Sequence, residues 1–240
     1  MLKYILIFLA IFNSTCYAND VVDKLNSANS HIQTIQADIH VTTMRDRGQV
    51  SADGTLVYDK QRSCIRVLTK GGPLNKVVTD MGQNNQYCWF WSRRVDGVFY
   101  YWDVKDSERV KLPGDINPKW MMDTLNTHLL DENDGRVVIQ GGNLFFLTSV
   151  GGQTRVIGID QRRPAMLSHR SYDVNNNVVA ESVVEDFIPT SFGGYLPKRT
   201  RIKIKSEKLT ILWSLDKVRC NEHVPDGCFL MPNYTDKRKL

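Results

Sequence analysis

Between residues 20 and 34, Val21, Val22, Leu25, Ala28 and Ile32 recur at helical spacing with polar residues between them. This predicts an amphipathic helix with one buried stripe. At Ile35 the period drops to two. Extended segments bounded by turn residues then succeed one another at 35–45, 48–59, 63–70, 74–80, 86–92 and 97–104. The links Asp46-Arg47-Gly48, Lys70-Gly71-Gly72-Pro73, Met81-Gly82-Gln83-Asn84-Asn85 and Val95-Asp96-Gly97 suit tight or positive-φ geometry and are too short for parallel crossovers, so neighbouring strands run antiparallel. Asn117 suits an N-cap and Pro118 the first helical position. Trp120, Met121, Met122, Leu125, His128 and Leu129 carry a second apolar stripe to about Leu130. Strands resume at 136–141, 143–149, 153–160, 165–173, 178–187, 198–205 and 208–218.

Two amphipathic helices set among long runs of strands predict a mostly β (α+β) fold. The expected architecture is an antiparallel incomplete β-barrel of about 11–13 strands with the helices packed in its concave face. A cavity between helices and sheet is then the natural ligand site. No linker, repeat or low-complexity tract divides residues 19–240, so one domain is expected.

The opening eighteen residues have their own pattern. Lys3 precedes an apolar run from Tyr4 through Phe12 that is too short for a bilayer, and Cys16-Tyr17-Ala18 ends in small residues at the recognition positions. Residues 1–18 therefore read as a signal peptide cleaved after Ala18, which predicts a periplasmic protein. Asn13-Ser14-Thr15 before Cys16 lacks the apolar residue that lipid modification of that cysteine would require. The chain has 31 basic and 26 acidic residues, and losing Lys3 leaves a mild positive excess. That excess is too scattered for nucleic acid but compatible with an anionic membrane surface.

Several stretches carry a family resemblance. Gly54-Thr55-Leu56-Val57-Tyr58 after the first helix, Thr79-Asp80-Met81-Gly82 leading into Tyr87-Cys88-Trp89-Phe90-Trp91, Pro118-Lys119-Trp120, Ser171-Tyr172-Asp173 and Phe229-Leu230-Met231-Pro232 together resemble a divergent branch of the LolA-like periplasmic lipoprotein carriers. The resemblance implies an open β-barrel lidded by helices, with an apolar cavity that takes lipoprotein acyl chains from inner to outer membrane. It implies inner- or outer-membrane protein partners and a monomeric carrier. The family secures its lid with an arginine; Lys60 stands at the corresponding place, and a lysine makes a point-charge contact without the planar fork.

A search for catalytic chemistry finds no support for an enzyme. His31, His40, His128, His169 and His223 form no metal-binding spacing, so neither a metal site nor a cofactor is expected. Asp173-Val174-Asn175-Asn176-Asn177 starts like a calcium loop, but Val178 and Val184 occupy the places of the required Gly and Glu, which leaves a hairpin turn. The strongest local signal is aromatic. Tyr87, Trp89 and Trp91 share one strand face, Cys88 and Phe90 the other, and Phe99 to Trp102 repeat this next door, so both faces are apolar. The expected cavity lining is Tyr87, Trp89, Trp91, Phe99, Tyr101, Trp120, Met121, Met122 and Leu125, with Lys60 as the lid contact. Arg199, Arg201, Lys203 and Lys205 alternate with Thr200, Ile202 and Ile204, which fits a solvated outer face or one that docks on anionic lipid headgroups. Of the four cysteines after residue 18, Cys64 and Cys88 lie on strands two spacings apart, too far to bridge. A Cys220–Cys228 disulfide across the Pro225-Asp226-Gly227 turn is expected, with Cys64 and Cys88 reduced and buried. The functional expectation is a non-enzymatic carrier of acyl chains or another greasy ligand, with a lipid-sensing module of the same fold as the alternative.

Overall fold

The computed structural model of the protein describes residues 19–45, 48–72, 74–93, 96–107, 110, 125, 129–131, 133–150, 153–205 and 208–240. The signal-peptide reading of residues 1–18 lies outside them. The chain is helical over 19–30 (α1). The helix ends there, short of residue 34, because residues 33 and 34 are drawn into the sheet. Asn221 Oδ1 accepts a hydrogen bond from the Gln33 amide at 2.8 Å, and Thr34 already pairs with Asp59.

Fourteen strands form one sheet. They are β1 (Thr34–Arg45), β2 (Gly48–Asp59), β3 (Cys64–Gly71), β4 (Lys76–Gln83), β5 (Tyr87–Ser92), β6 (Phe99–Asp103), β7 (Gly135–Gln140), β8 (Asn143–Val150), β9 (Gln153–Asp160), β10 (Ala165–Tyr172), β11 (Val178–Pro189), β12 (Tyr195–Ile204), β13 (Leu209–Cys220) and β14 (Lys237–Lys239). Their order is β14-β6-β5-β4-β3-β2-β1-β13-β12-β11-β10-β9-β8-β7, an open sheet rather than a closed barrel. Every neighbouring pair is antiparallel except β14 with β6. The thirteen strands expected from the two-residue period are all present; β14 is additional.

Register fixes which residues share a face. Ile35, Ala37 and Ile39 on β1, Leu56 on β2, Ile65 and Val67 on β3, Met81 on β4, Cys88 and Phe90 on β5, Tyr100 and Trp102 on β6, and Trp213 and Leu215 on β13 form one buried cluster on the concave side. Leu125 and Val110 belong to the same cluster. The connection from β6 to β7 joins strands at opposite ends of the antiparallel order, and two of its described residues, Val110 and Leu125, lie in this concave cluster. Most of the predicted second helix, including Trp120, Met121 and Met122, lies outside the described residues. On the other half of the sheet, Val21, Val22 and Leu25 of α1 pack on Leu144, Phe146, Ile157, Ile159 and Met166 together with Leu130. Asn26 locks this arrangement: its amide donates to the Leu130 carbonyl and its Oδ1 accepts from the Leu130 amide, both at 2.8 Å.

After β13 the chain crosses the convex face as a strap. Thr34 Oγ1 donates to the Glu222 carbonyl, Arg62 to the Val224 carbonyl and Asp226, Arg66 to the Cys228 carbonyl and Asn84 to the Phe229 carbonyl. The strap ends beside β6 as β14, whose three side chains are all exposed.

Candidate ligand-binding site

Val41 on β1, Val67 on β3, Val78 and Met81 on β4, Phe90 on β5, and Leu209 and Ile211 on β13 surround a concave cavity of about 410 Å³. This volume lies within the usual range for small-ligand sites. Thr43, Thr69, Thr79 and Ser92 add hydroxyls, and Arg45, Gly48 and Gln49 stand where β1 turns into β2, so the cavity reaches that end of the sheet. The lining is built from β-branched residues on a pleated surface, which have few rotamers to lose, with Met81 and Phe90 as the bulky members. A second opening of about 430 Å³, between the β2–β3 turn and the strap, has Arg62, Asp226 and Asn84 in its wall and suits polar rather than apolar contents.

The expected aromatic residues occupy the other side of the sheet. Tyr87, Trp89, Trp91, Phe99 and Tyr101 project from the convex face, while Phe90, their neighbour on β5, lines the cavity. The strap covers them. The Tyr234 ring stacks on Trp91 at 4.9 Å and on Phe99 at 5.0 Å, and Tyr87 meets Tyr101 edge-on at 5.9 Å. Trp89 is fully buried, its ring lying against Gly82 on β4. A Cβ on Gly82 would come within 2.4 Å of that ring, so only glycine allows the approach.

Beneath these rings lies an acid. Asp80 is 1% exposed and accepts hydrogen bonds from Arg66 at 2.8 and 3.1 Å, from Trp89 Nε1 at 3.2 Å and from the Tyr234 hydroxyl at 3.4 Å. Burial, and after it the charge of Asp80, pushes the Tyr234 phenol up to about 12. The period-two pattern gave no warning of this network; the signal available was a carboxylate between apolar strand neighbours, which demands a buried partner.

Leu125 is fully buried in the concave cluster. Lys60 sits in the β2–β3 turn, and its ammonium donates to the Asn29 carbonyl at 3.0 Å, near the last turn of α1. Helix C-termini favour cations there. Partial burial lowers the Lys60 pKa.

The cysteine pairing is corrected. None of these four described cysteines forms a disulfide. Cys220 pairs in register with Ile35 and packs against the concave cluster, whereas Cys228 packs with Cys64, Val224 and Phe229 on the convex side. The sheet therefore stands between Cys220 and Cys228. Cys64 and Cys88 are buried, on opposite faces.

The basic strand alternates as its pattern predicts, with Thr200, Ile202 and Ile204 buried and Arg199, Arg201, Lys203 and Lys205 exposed. That face is not uniformly basic, because β11 answers it: Glu185 pairs with Arg201, Asp186 with Lys198, and Glu181 with Arg170 of β10.

No protein-family model and no curated protein matches the chain. Solved structures do. A LolA superfamily protein from Nitrosomonas europaea superposes with a TM-score of 0.57 at 13% identity, covering 89% of this chain and 97% of its own. A domain described as an outer membrane lipoprotein-sorting protein, from Vibrio parahaemolyticus, gives 0.61 at 8% identity, covering 88% and 97%. A DUF1329 family protein from Desulfovibrio piger gives 0.50 at 11%, covering 90% and 97%. These likenesses establish a fold: an open, mostly antiparallel sheet with a helix packed against it. That fold is the LolA-like one, in a divergent sequence.

Proposed function

We propose that the protein is an exported periplasmic binding protein that holds an acyl chain, of a lipoprotein or another lipid, and carries it between inner and outer membrane without catalysis. The observation that carries this reading is the concave cavity, with apolar walls from β1, β3, β4, β5 and β13 and an opening at one end of the sheet. An alkyl chain offers no hydrogen bonds, so a wall of Val, Ile, Leu, Met and Phe is its natural complement. The solved structures of the same fold include one described as a lipoprotein-sorting domain, which supports the ligand class. In this reading residues 1–18 are removed on export, residues 19–240 act as one monomeric domain, and Phe90, Met81, Val67 and Ile211 contact the chain. Lys60 holds the end of α1 and so limits how far the helix can move from the sheet.

Titration with a fluorescent fatty acid tests the proposal. Saturable binding is expected, and Thr43→Trp, which fills the cavity near its opening, should lower affinity at least tenfold while leaving the melting temperature nearly unchanged. Absence of saturable binding, or binding indifferent to Thr43→Trp, sinks the cavity reading. Carriage, as opposed to retention, requires that loaded protein deliver the probe to acceptor vesicles.

A further inference from the structure

One end of the sheet carries a local cluster of basic residues. At the end where the cavity opens, the β1–β2, β3–β4, β5–β6 and β12–β13 turns stand together around β1 and β13. The described residues of these four turns and their strand ends include Arg45, Lys70, Lys76, Arg93, Lys205 and Lys208, all exposed, against Asp96, with Asp236 beside Phe99 and Asp53 opposite Lys70; Asp131, Asp134 and Asp173 stand farther along the same end, beyond this basic cluster. The rest of the sequence in these turns, Asp46, Arg47, Arg94 and Glu207, is balanced. At the opposite end several basic residues are paired with acids, Arg62 with Asp59, Arg163 with Asp160 and Arg219 with Glu222.

Exposed large apolar side chains stand at both ends, with Leu230 at 68% beside Gln61 and Arg62 at the far one. Val174 at 84% and Leu74 at 72% are the two most exposed large apolar residues among those described. Leu74 is in the β3–β4 turn, within the basic rim, and Val174 is in the β10–β11 turn at the same end. Exposed apolar tips among cations form the arrangement that settles into an anionic bilayer interface, the alkyl groups entering the headgroup boundary and the ammonium groups meeting phosphate.

We propose that this end of the protein is a membrane-docking face that places the cavity mouth against the surface of an anionic phospholipid bilayer, with Leu74 as the inserting tip and Lys70 and Lys76 as its electrostatic anchors. The partner is the bilayer itself. The proposal deepens the lipid-handling reading above, since it would let an acyl chain pass from bilayer to cavity without crossing water.

The test is co-sedimentation of the protein, purified from an exported fraction, with vesicles of phosphatidylglycerol and phosphatidylethanolamine or of phosphatidylcholine alone. Binding to the anionic vesicles is expected, with loss at roughly 1 M salt, where the screening length falls to about 3 Å. Lys70→Glu with Lys76→Glu should weaken binding at least about 5-fold for each charge removed, and Leu74→Asp about tenfold. Lys105→Glu with Arg162→Glu, at the far end, should leave binding unchanged. None of these positions lines the cavity, so fatty-acid titration without vesicles should be unaffected, which separates failure of the docking face from failure of the cavity. Equal binding to both vesicle types, wild-type binding by the Lys70/Lys76 variant, or equal loss in the far-end control would overturn the proposal.

Discussion

Strands β5 and β6 present two apolar faces that do different work. On the concave side Phe90 borders an opening, and Cys88, Tyr100 and Trp102 continue inward as core. On the convex side Trp89, Trp91 and Phe99 are closed off by Tyr234, more than 130 residues later in the chain, over a buried Arg66–Asp80 pair. Aromatic density measures how much surface must be covered and is silent on what covers it. One face is finished by the chain itself, and on the other Phe90 borders an open cavity.

If that division is right, convex-side changes should cost stability and spare ligand affinity. Asp80→Ala should have the largest effect, because it strands a partly buried guanidinium and an indole N–H. Breaking such a pair costs about 3–5 kcal/mol, or roughly 10 °C in melting temperature for a chain of this size. Calorimetry alongside fatty-acid titration checks it, and a parallel loss of affinity would show that the faces are coupled. A smaller, pH-dependent effect is expected at Tyr234. Its phenol is raised from 10.0 to about 12 in the folded protein, so the folded state resists ionisation. Its contribution to seating the strap is complete below pH 10 and is lost as pH rises through about 12. Tryptophan emission should shift over this range in the wild type, and Tyr234→Phe should flatten the shift. The smallest effect belongs to Lys60→Ala. A cation near a helix C-terminus contributes about 0.3–1 kcal/mol, so melting should move by only a few degrees. Probe release in stopped-flow should accelerate, and an unchanged release rate would assign Lys60 to folding alone.

The strands were legible in the sequence because each carries its own alternation. In β12, Thr200, Ile202 and Ile204 are buried between exposed charges as the pattern requires. Turn chemistry was legible too: Asp173 accepts bonds from the Asn175 and Asn177 amides, and Asn176 takes a φ of 62°, as a hairpin turn demands. Facing was not legible on β5 and β6. Where both faces are apolar, the period identifies a strand and leaves its sides equivalent, and what distinguishes them is Tyr234, a contact no local window contains. β14 escaped for the opposite reason: Lys237, Arg238 and Lys239 join the sheet through backbone pairing and the exposed Lys239–Asp103 ion pair, with no side chain buried to mark the strand. The cysteine reading failed on the same point, since Cys220 and Cys228 are near in sequence but a sheet apart.

The pairing of β1 with β13 bears on how such a chain is made. Ile35 lies opposite Cys220 and Met44 opposite Thr210, so the two halves of the sheet are joined only by the first strand and nearly the last. Until residues 209–220 are available, β1 has one neighbour instead of two, and the concave cluster lacks Trp213 and Leu215. Contacts this distant in sequence make folding slow and keep it from finishing before synthesis does. The topology thus postpones closure of the sheet until its C-terminal strand is available.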